Sequence, residues 1–189
     1  QSNIDQWLNK DSAGGAWYIA QHSTDQAPNG TSVVAGGTAY SARPGFLNAF
    51  TSGEKNAIQS TTIRVAKTSW DGGGYEDISR RVFLASATEV GISIEGGVAE
   101  GSMWSWFSNH SRVTQLTPQA TTYSLSEVKS SETTGNWYWW LRTPRLNLAN
   151  RTYAVKSDGA AGYYNAYDGN YGVRPAINLL STLSVSDTT

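Results

Sequence analysis

The run Trp137-Tyr138-Trp139-Trp140-Leu141-Arg142-Thr143-Pro144 constrains this chain more than any other feature. In an extended strand Trp137, Trp139 and Leu141 point to one face while Tyr138 and Trp140 point to the other. Both faces therefore need apolar cover. A second rigid block, Gly172-Val173-Arg174-Pro175-Ala176-Ile177-Asn178-Leu179, closes the same segment. Both blocks read as scaffold. What they bracket is rich in Tyr, Asn, Ala, Gly and Asp and has no helical period. That composition is like that of antibody contact loops, where Tyr supplies rigid contact area and Asn and Gly adapt to the partner. Arg145, Leu146, Asn147, Asn150, Tyr153, Tyr163, Tyr164, Asn165, Tyr167, Asp168, Asn170 and Tyr171 are accordingly the candidate ligand-binding residues, with 137–179 as the candidate variable region together with its scaffold strands.

The 189 residues are enough for one domain with a real core, and nothing in them forces a second. Charged residues make up only 15% and the formal net charge is −1, so neither a nucleic-acid footprint nor a polybasic membrane patch is present. The absence of Cys removes disulfides, thiolate metal sites and cysteine nucleophiles together. His22 and His110 are isolated and make no His-rich metal site, so no metal and no cofactor is expected. No apolar run approaches the ~20 residues that span a bilayer, and no signal-peptide pattern is present. The chain does not begin with Met, which points to a fragment or a processed chain.

Ten Tyr, eight Trp and 19 Gly favour a loop-rich β or α+β domain over a helical bundle. Ile4, Trp7 and Leu8 at helical spacing behind Ser2 and Asn3 predict a short helix over 3–10. Residues 11–45 read as turn-dense connection. Thr51-Ser52-Gly53-Glu54 matches a capping box, with Ala57 and Ile58 on the apolar face of a helix to about Ser60. Thr61–Val65 and Arg81–Ala85 read as strands separated by the Asp71-Gly72-Gly73-Gly74 turn, and are expected to pair as a hairpin with a wide loop. Ser86-Ala87-Thr88-Glu89 repeats the capping-box pattern and predicts a brief helix. Residues 91–135 read as loop, tacked to the core by Met103, Trp104, Trp106 and Phe107. Strands follow near 136–142, 152–156 and 173–179.

These motifs carry a resemblance. Asn3-Ile4-Asp5-Gln6-Trp7-Leu8-Asn9, Pro44-Gly45-Phe46-Leu47 with Phe50 and Glu54-Lys55, Arg81-Val82-Phe83-Leu84-Ala85-Ser86 and the two blocks above resemble a bacterial and phage family of C-terminal domains. That family is similar to the variable proteins of diversity-generating retroelements, whose fold is a C-type lectin variant related to the formylglycine-generating enzyme. The resemblance implies a single lectin-like α+β domain over 1–189, loop-rich, with short helices around small antiparallel sheets. In the family further strands precede the first helix, so either this chain is N-terminally truncated or its fold is completed differently. The resemblance also implies diversification at template adenines. Randomising the adenines of AAC or AAT codons cannot yield Lys, Trp, Met, Gln or Glu, and 145–153 and 160–171 contain none of the five.

Two functional classes then compete. The first is a non-enzymatic receptor- or ligand-binding domain displaying a diversified surface, as in a phage tail adhesin or bacterial surface protein. Its partner is a host-cell or surface macromolecule, protein or glycan, at a virion tail or the cell surface. The second is a structural or assembly domain whose Tyr surface is buried against copies of itself. An enzyme ranks below both: the related oxidase depends on cysteines that this chain lacks, and no Ser/His/Asp set or carboxylate pair stands out. Asp71 to Asp77 reads first as a turn rather than a calcium loop. Trp137, Trp139, Leu141, Val155, Val173, Ile177, Phe83 and Leu84 are expected to form one core. Arg142 and Arg174 lie inside apolar motifs, so at least one should contact a carboxylate, with Glu89 or Asp158 the candidates.

Overall fold

A computed structural model describes residues 2–14, 18–23, 25, 44–94, 96–118, 135–169 and 171–181. The chain is α+β, with short helices and three small antiparallel sheets joined by loops. None of its described helices is long and apolar enough to cross a membrane.

Local signals set the helices. Helix α1 (Asn3–Leu8) starts where the Ser2 hydroxyl accepts from Asp5 N. Its inner face buries Leu8. Helix α2 (Ser52–Ala57) carries the complete Thr51/Glu54 capping box and ends at buried Ile58, short of Ser60. Helix α3 (Ser105–Asn109) lies in the stretch expected to be loop, with Phe107 turned into the core. Of the four aromatic and Met anchors expected there, only Trp104 and Phe107 pack inward; Met103 and Trp106 are exposed.

The expected hairpin between 61–65 and 81–85 is not formed. Strand β1 (Thr61–Ala66) pairs instead with β2 (Tyr75–Arg80), with Ile63 opposite Ile78. Gly72, Gly73 and Gly74 all adopt positive φ between them, which turns the chain back tightly enough to make β2 the nearer partner. Strand β3 (Val82–Leu84) continues past the hairpin and pairs with β7 (Pro175–Ile177) from the far end of the chain. The third sheet has the order β4 (Trp139–Pro144), β5 (Arg151–Val155), β6 (Ala161–Asn165). Residues 86–91 form turns rather than a helix, although both hydrogen bonds of the Ser86/Glu89 capping pair are made.

Strand β4 does what its letters require. Trp139 and Leu141 join Val155, Val90, Phe107 and Tyr153 in one buried cluster, while Trp140 on the opposite face joins Leu8, Leu47, Ile58, Val82 and Leu84 in another. The single expected core is therefore two cores, one on each face of the sheet. Phe83 is buried, Trp137 is half-buried, and Val173 and Ile177 are exposed, so these last two are not core. Ile177 ends the three-pair β3–β7 ladder and Val173 lies just before it, so a two-stranded sheet gives neither a second strand neighbour. A bulge between Trp140 and Pro144 frees two β4 carbonyls. The Thr152 hydroxyl serves both, 2.8 Å from Thr143 O and 3.1 Å from Leu141 O.

One buried polar knot ties the three sheets together. The Arg142 guanidinium grips both oxygens of Glu89, at 2.6 and 2.8 Å, which is the expected carboxylate contact. It also donates to the carbonyls of Arg64, Leu84 and Glu100. Beside it, fully buried Glu100 accepts from Ala66 N at 2.9 Å and, through a short bond, from the Thr143 hydroxyl.

Candidate functional site

The loops at one end of the third sheet are short and cross-tied. Arg145 N donates to Arg151 O, Leu148 N to Arg145 O, and Arg151 N to Leu148 O, so 145–151 is a closed turn. The following β6 loop is pinned to it where Ala166 N donates to Asn150 O at 2.9 Å. This holds Asn150 and Tyr167, from separate loops, beside one another.

Both line a cleft of about 400 Å³. The β1–β2 hairpin, the turn at Thr68–Asp71 and His22 line it as well. Ser69 N donates to Leu146 O at 2.7 Å, fixing the hairpin base against the 145–151 turn. Inside the cleft, Asp71 accepts from the Thr68 hydroxyl at 2.6 Å and lies 3.0 Å from His22 Nε2. Partial burial pushes the Asp71 carboxyl up, but the Thr68 bond and His22 outweigh it and hold the group below the ordinary aspartate range. Across the imidazole, Nδ1 is 3.4 Å from Asp25, whose carboxylate also accepts from the backbone N–H of Gln21 and His22.

The order of these groups decides their chemistry. A hydroxyl nucleophile needs the imidazole as its base, with a carboxylate behind the imidazole. Here Thr68 spends its proton on the carboxylate, and His22 stands on the carboxylate's other oxygen. The set is a hydrogen-bonded polar wall whose carboxylate oxygens can accept from hydroxyl or amide groups. Among the described residues no group of three His, Cys, Asp or Glu side chains is arranged to hold a metal ion.

The twelve sequence-predicted residues do not form a single exposed patch, because a strand divides them. On one face of the third sheet Tyr153 is buried in the first core, its hydroxyl accepting from Arg145 at 2.7 Å. Tyr163 lies over it edge-on, with the Arg145 guanidinium 4.6 Å and that of Arg151 5.8 Å from its ring, and is 40% exposed. On the other face Tyr164 and Tyr171 pack into the second core, 4.8 Å apart at the ring centres, with Tyr138 and Trp140 against them. Burial, first of all, raises both phenol hydroxyls above their usual range. Tyr153, Tyr164 and Tyr171 are thus scaffold in their packing, contrary to the expected exposure. The reason is alternation: strand β6 sends Tyr163 and Tyr164 to opposite faces.

Asn147 is exposed at the tip of the 145–151 turn, Leu146 and Asn165 are half-buried, and Asn150 and Tyr167 face the cleft. Asp168 is half-buried, and burial raises its carboxyl against the opposing pull of a backbone hydrogen bond and Arg151. Asn170 lies outside the described residues. Sequence reasoning missed His22, Thr68 and Asp71 as cleft residues. No local signal marks them, since they arrive from a connection and a hairpin base far from the Tyr-rich segment.

The chain belongs to a family defined as a domain of unknown function, DUF6273, whose model matches residues 1–181. No curated protein and no solved structure matches it.

Proposed function

We propose that this domain is a non-enzymatic ligand-binding module. In this reading a C-type-lectin-like scaffold presents a diversified Tyr/Asn surface to a host-cell or surface macromolecule, from a phage tail or a bacterial cell surface. The observation that carries it is the cleft of about 400 Å³ into which Asn150 and Tyr167 project from two cross-tied loops. The turn tip, Tyr163 and the cleft's Asn150 and Tyr167 lie where the chain is most contact-loop-like in composition, and the scaffold beneath them is stapled by the Arg142–Glu89 pair. Loops ordered before the partner arrives lose less freedom on binding. The inverted order of Thr68, Asp71 and His22 supports binding over hydroxyl catalysis.

The test uses glycan arrays and intact bacterial cells probed with the whole chain and with an Asn150→Ala/Tyr167→Ala variant. Binding lost with melting unchanged supports the reading; binding retained in the variant places the function elsewhere. The diversification part is tested by sequencing: a nearby reverse transcriptase and an imperfect repeat of the 137–179 coding segment are expected, with differences confined to template adenines. The assembly reading was expected to use the Tyr surface, but Tyr153, Tyr164 and Tyr171 pack within the fold, so it rests instead on the exposed Val173, Ile177, Leu179 and Leu180 at and beside β7. It expects a solution mass above that of one chain.

A further inference from the structure

On the first-core side of the fold, Arg174 lies between two pinned points. Gly172 exchanges backbone bonds with Tyr138 and Trp140, at 2.8 and 2.9 Å, and Pro175 begins β7 opposite Leu84. The guanidinium so placed sits 5.3 Å from the Trp139 ring and 5.8 Å from the Phe107 ring. Set over aromatic faces within cation–π range, it spends no N–H on them, and a guanidinium fork grips a carboxylate with two bonds. Among the described residues no carboxylate pairs with Arg174 and no group accepts a hydrogen bond from it. This is the opposite of Arg142, whose guanidinium is saturated by protein acceptors.

Arg174 opens into a groove of about 170 Å³ walled by Trp104, Trp106, Phe107 and Trp139. Trp106 is 56% exposed, yet its ring is held. His110 stacks on one face at 3.7 Å with the planes 6° apart, and His110 Nδ1 donates to the Trp106 carbonyl at 2.7 Å. A large apolar ring that is more than half exposed and backed by a stacked imidazole is a stacking platform. The negative face of an indole attracts the weakly positive C–H hydrogens of a sugar ring as well as apolar groups.

We propose that this groove is a binding subsite for a carboxylate-bearing sugar ring, a hexuronic-acid unit of a glycan. The ring stacks on Trp106 and its carboxylate pairs with the Arg174 fork. Charge selects the acid over a neutral sugar, the platform selects a ring over a bare anion, and the volume admits one ring. The subsite shares no lining residue with the cleft of Asn150 and Tyr167, so it stands or falls separately from the proposed function.

The experiment titrates the whole chain with methyl glucuronide, methyl glucoside, acetate and benzoate, following the Trp106 indole N–H and Arg174 Nε–H resonances by NMR. The glucuronide is expected to shift both resonances saturably and to bind at least roughly tenfold more tightly than the glucoside, about 1.4 kcal/mol. Arg174→Gln should abolish that preference and Trp106→Ala should weaken the glucuronide, with neither variant altering the remaining spectrum. Equal affinity for glucoside and glucuronide removes the role of Arg174. Acetate or benzoate matching the glucuronide removes the sugar, and an absence of saturable shifts overturns the site itself.

Discussion

Arg142 shows how much one side chain can organise. Its side chain is only 8% exposed and Glu89's 9%, so neither charge is free to return to water. Burying such a pair is close to neutral against a well-packed apolar pair, but removing one partner leaves the other charged and dry. Arg142→Leu is therefore expected to cost about 3–5 kcal/mol by chemical denaturation, and Arg142→Leu/Glu89→Leu to recover part of that loss. A double variant as unstable as the single one would contradict this account. Glu100 adds a pH signature. Burial raises its carboxyl above the ordinary range, outweighing its bonds to Thr143 and Ala66 and the nearby Arg142. A carboxyl with a higher pKa folded than unfolded binds more protons in the folded state. Stability then falls as pH rises from the ordinary glutamate range through the raised folded value, and the difference vanishes at lower pH where both states are protonated. Glu100→Gln keeps the shape, accepts from Ala66 N and donates to Thr143. It should lack this decline, and parallel stability curves for the two proteins would count against it.

At the scale of elements, legibility followed how local each cause was. Helices α1 and α2 are written in a cap and a capping box within four residues, and both begin where those letters stand, although α1 ends at Leu8 rather than residue 10 and α2 at Ala57 rather than Ser60. Strand β4 was legible from its own alternation, although the second core that receives Trp140 was not, because its other members are spread from Leu8 to Ala154. Strand β2 escaped notice since Tyr75, Glu76, Asp77 and Ser79 are exposed and give no apolar pattern. Strand β6 reads as contact surface rather than edge strand because Gly and Asn interrupt its rings, and its strand character comes from pairing with β5. That ranking is why the tyrosines of the candidate site were placed on one surface instead of two. The β1–β2 turn gives a direct check. Gly73 has φ +65° and a Cβ there would touch nothing, so Gly73→Ala meets only the left-handed backbone penalty. A loss of about 1–2 kcal/mol is expected, with Gly73→Asn milder, read by thermal melting. Equal stability of all three would mean the turn changes type. Trp139→Ala, by contrast, empties the centre of the first core and should cost about 3–5 kcal/mol.

Over the whole molecule, the sheet that carries the candidate binding segment also separates two kinds of residue within it, and this makes stability and binding separable by measurement. Tyr164 and Tyr171 close the second core against Trp140 and Tyr138, so each alanine variant is expected to lose about 2 kcal/mol or more of stability. Tyr153 supports the first core and anchors Arg145, and it belongs with them. Asn147 projects from the turn tip and Tyr163 is an exposed ring beneath two guanidinium groups, while Asn150 and Tyr167 line the cleft. Alanine at Asn147 should stay within about 0.5 kcal/mol of the parent, and Tyr163→Ala close to that, because positions outside cores and caps seldom matter more. Binding should show the reverse order. One or two of Tyr163, Tyr167 and Asn150 should act as anchors costing above about 2 kcal/mol when truncated, while Asn147 contributes at the rim. A paired scan of melting and partner affinity over these positions reads both quantities from the same variants. If affinity followed stability across all of them, with the largest losses at Tyr164 and Tyr171, the segment would be scaffold throughout and the binding surface would have to be sought on another face.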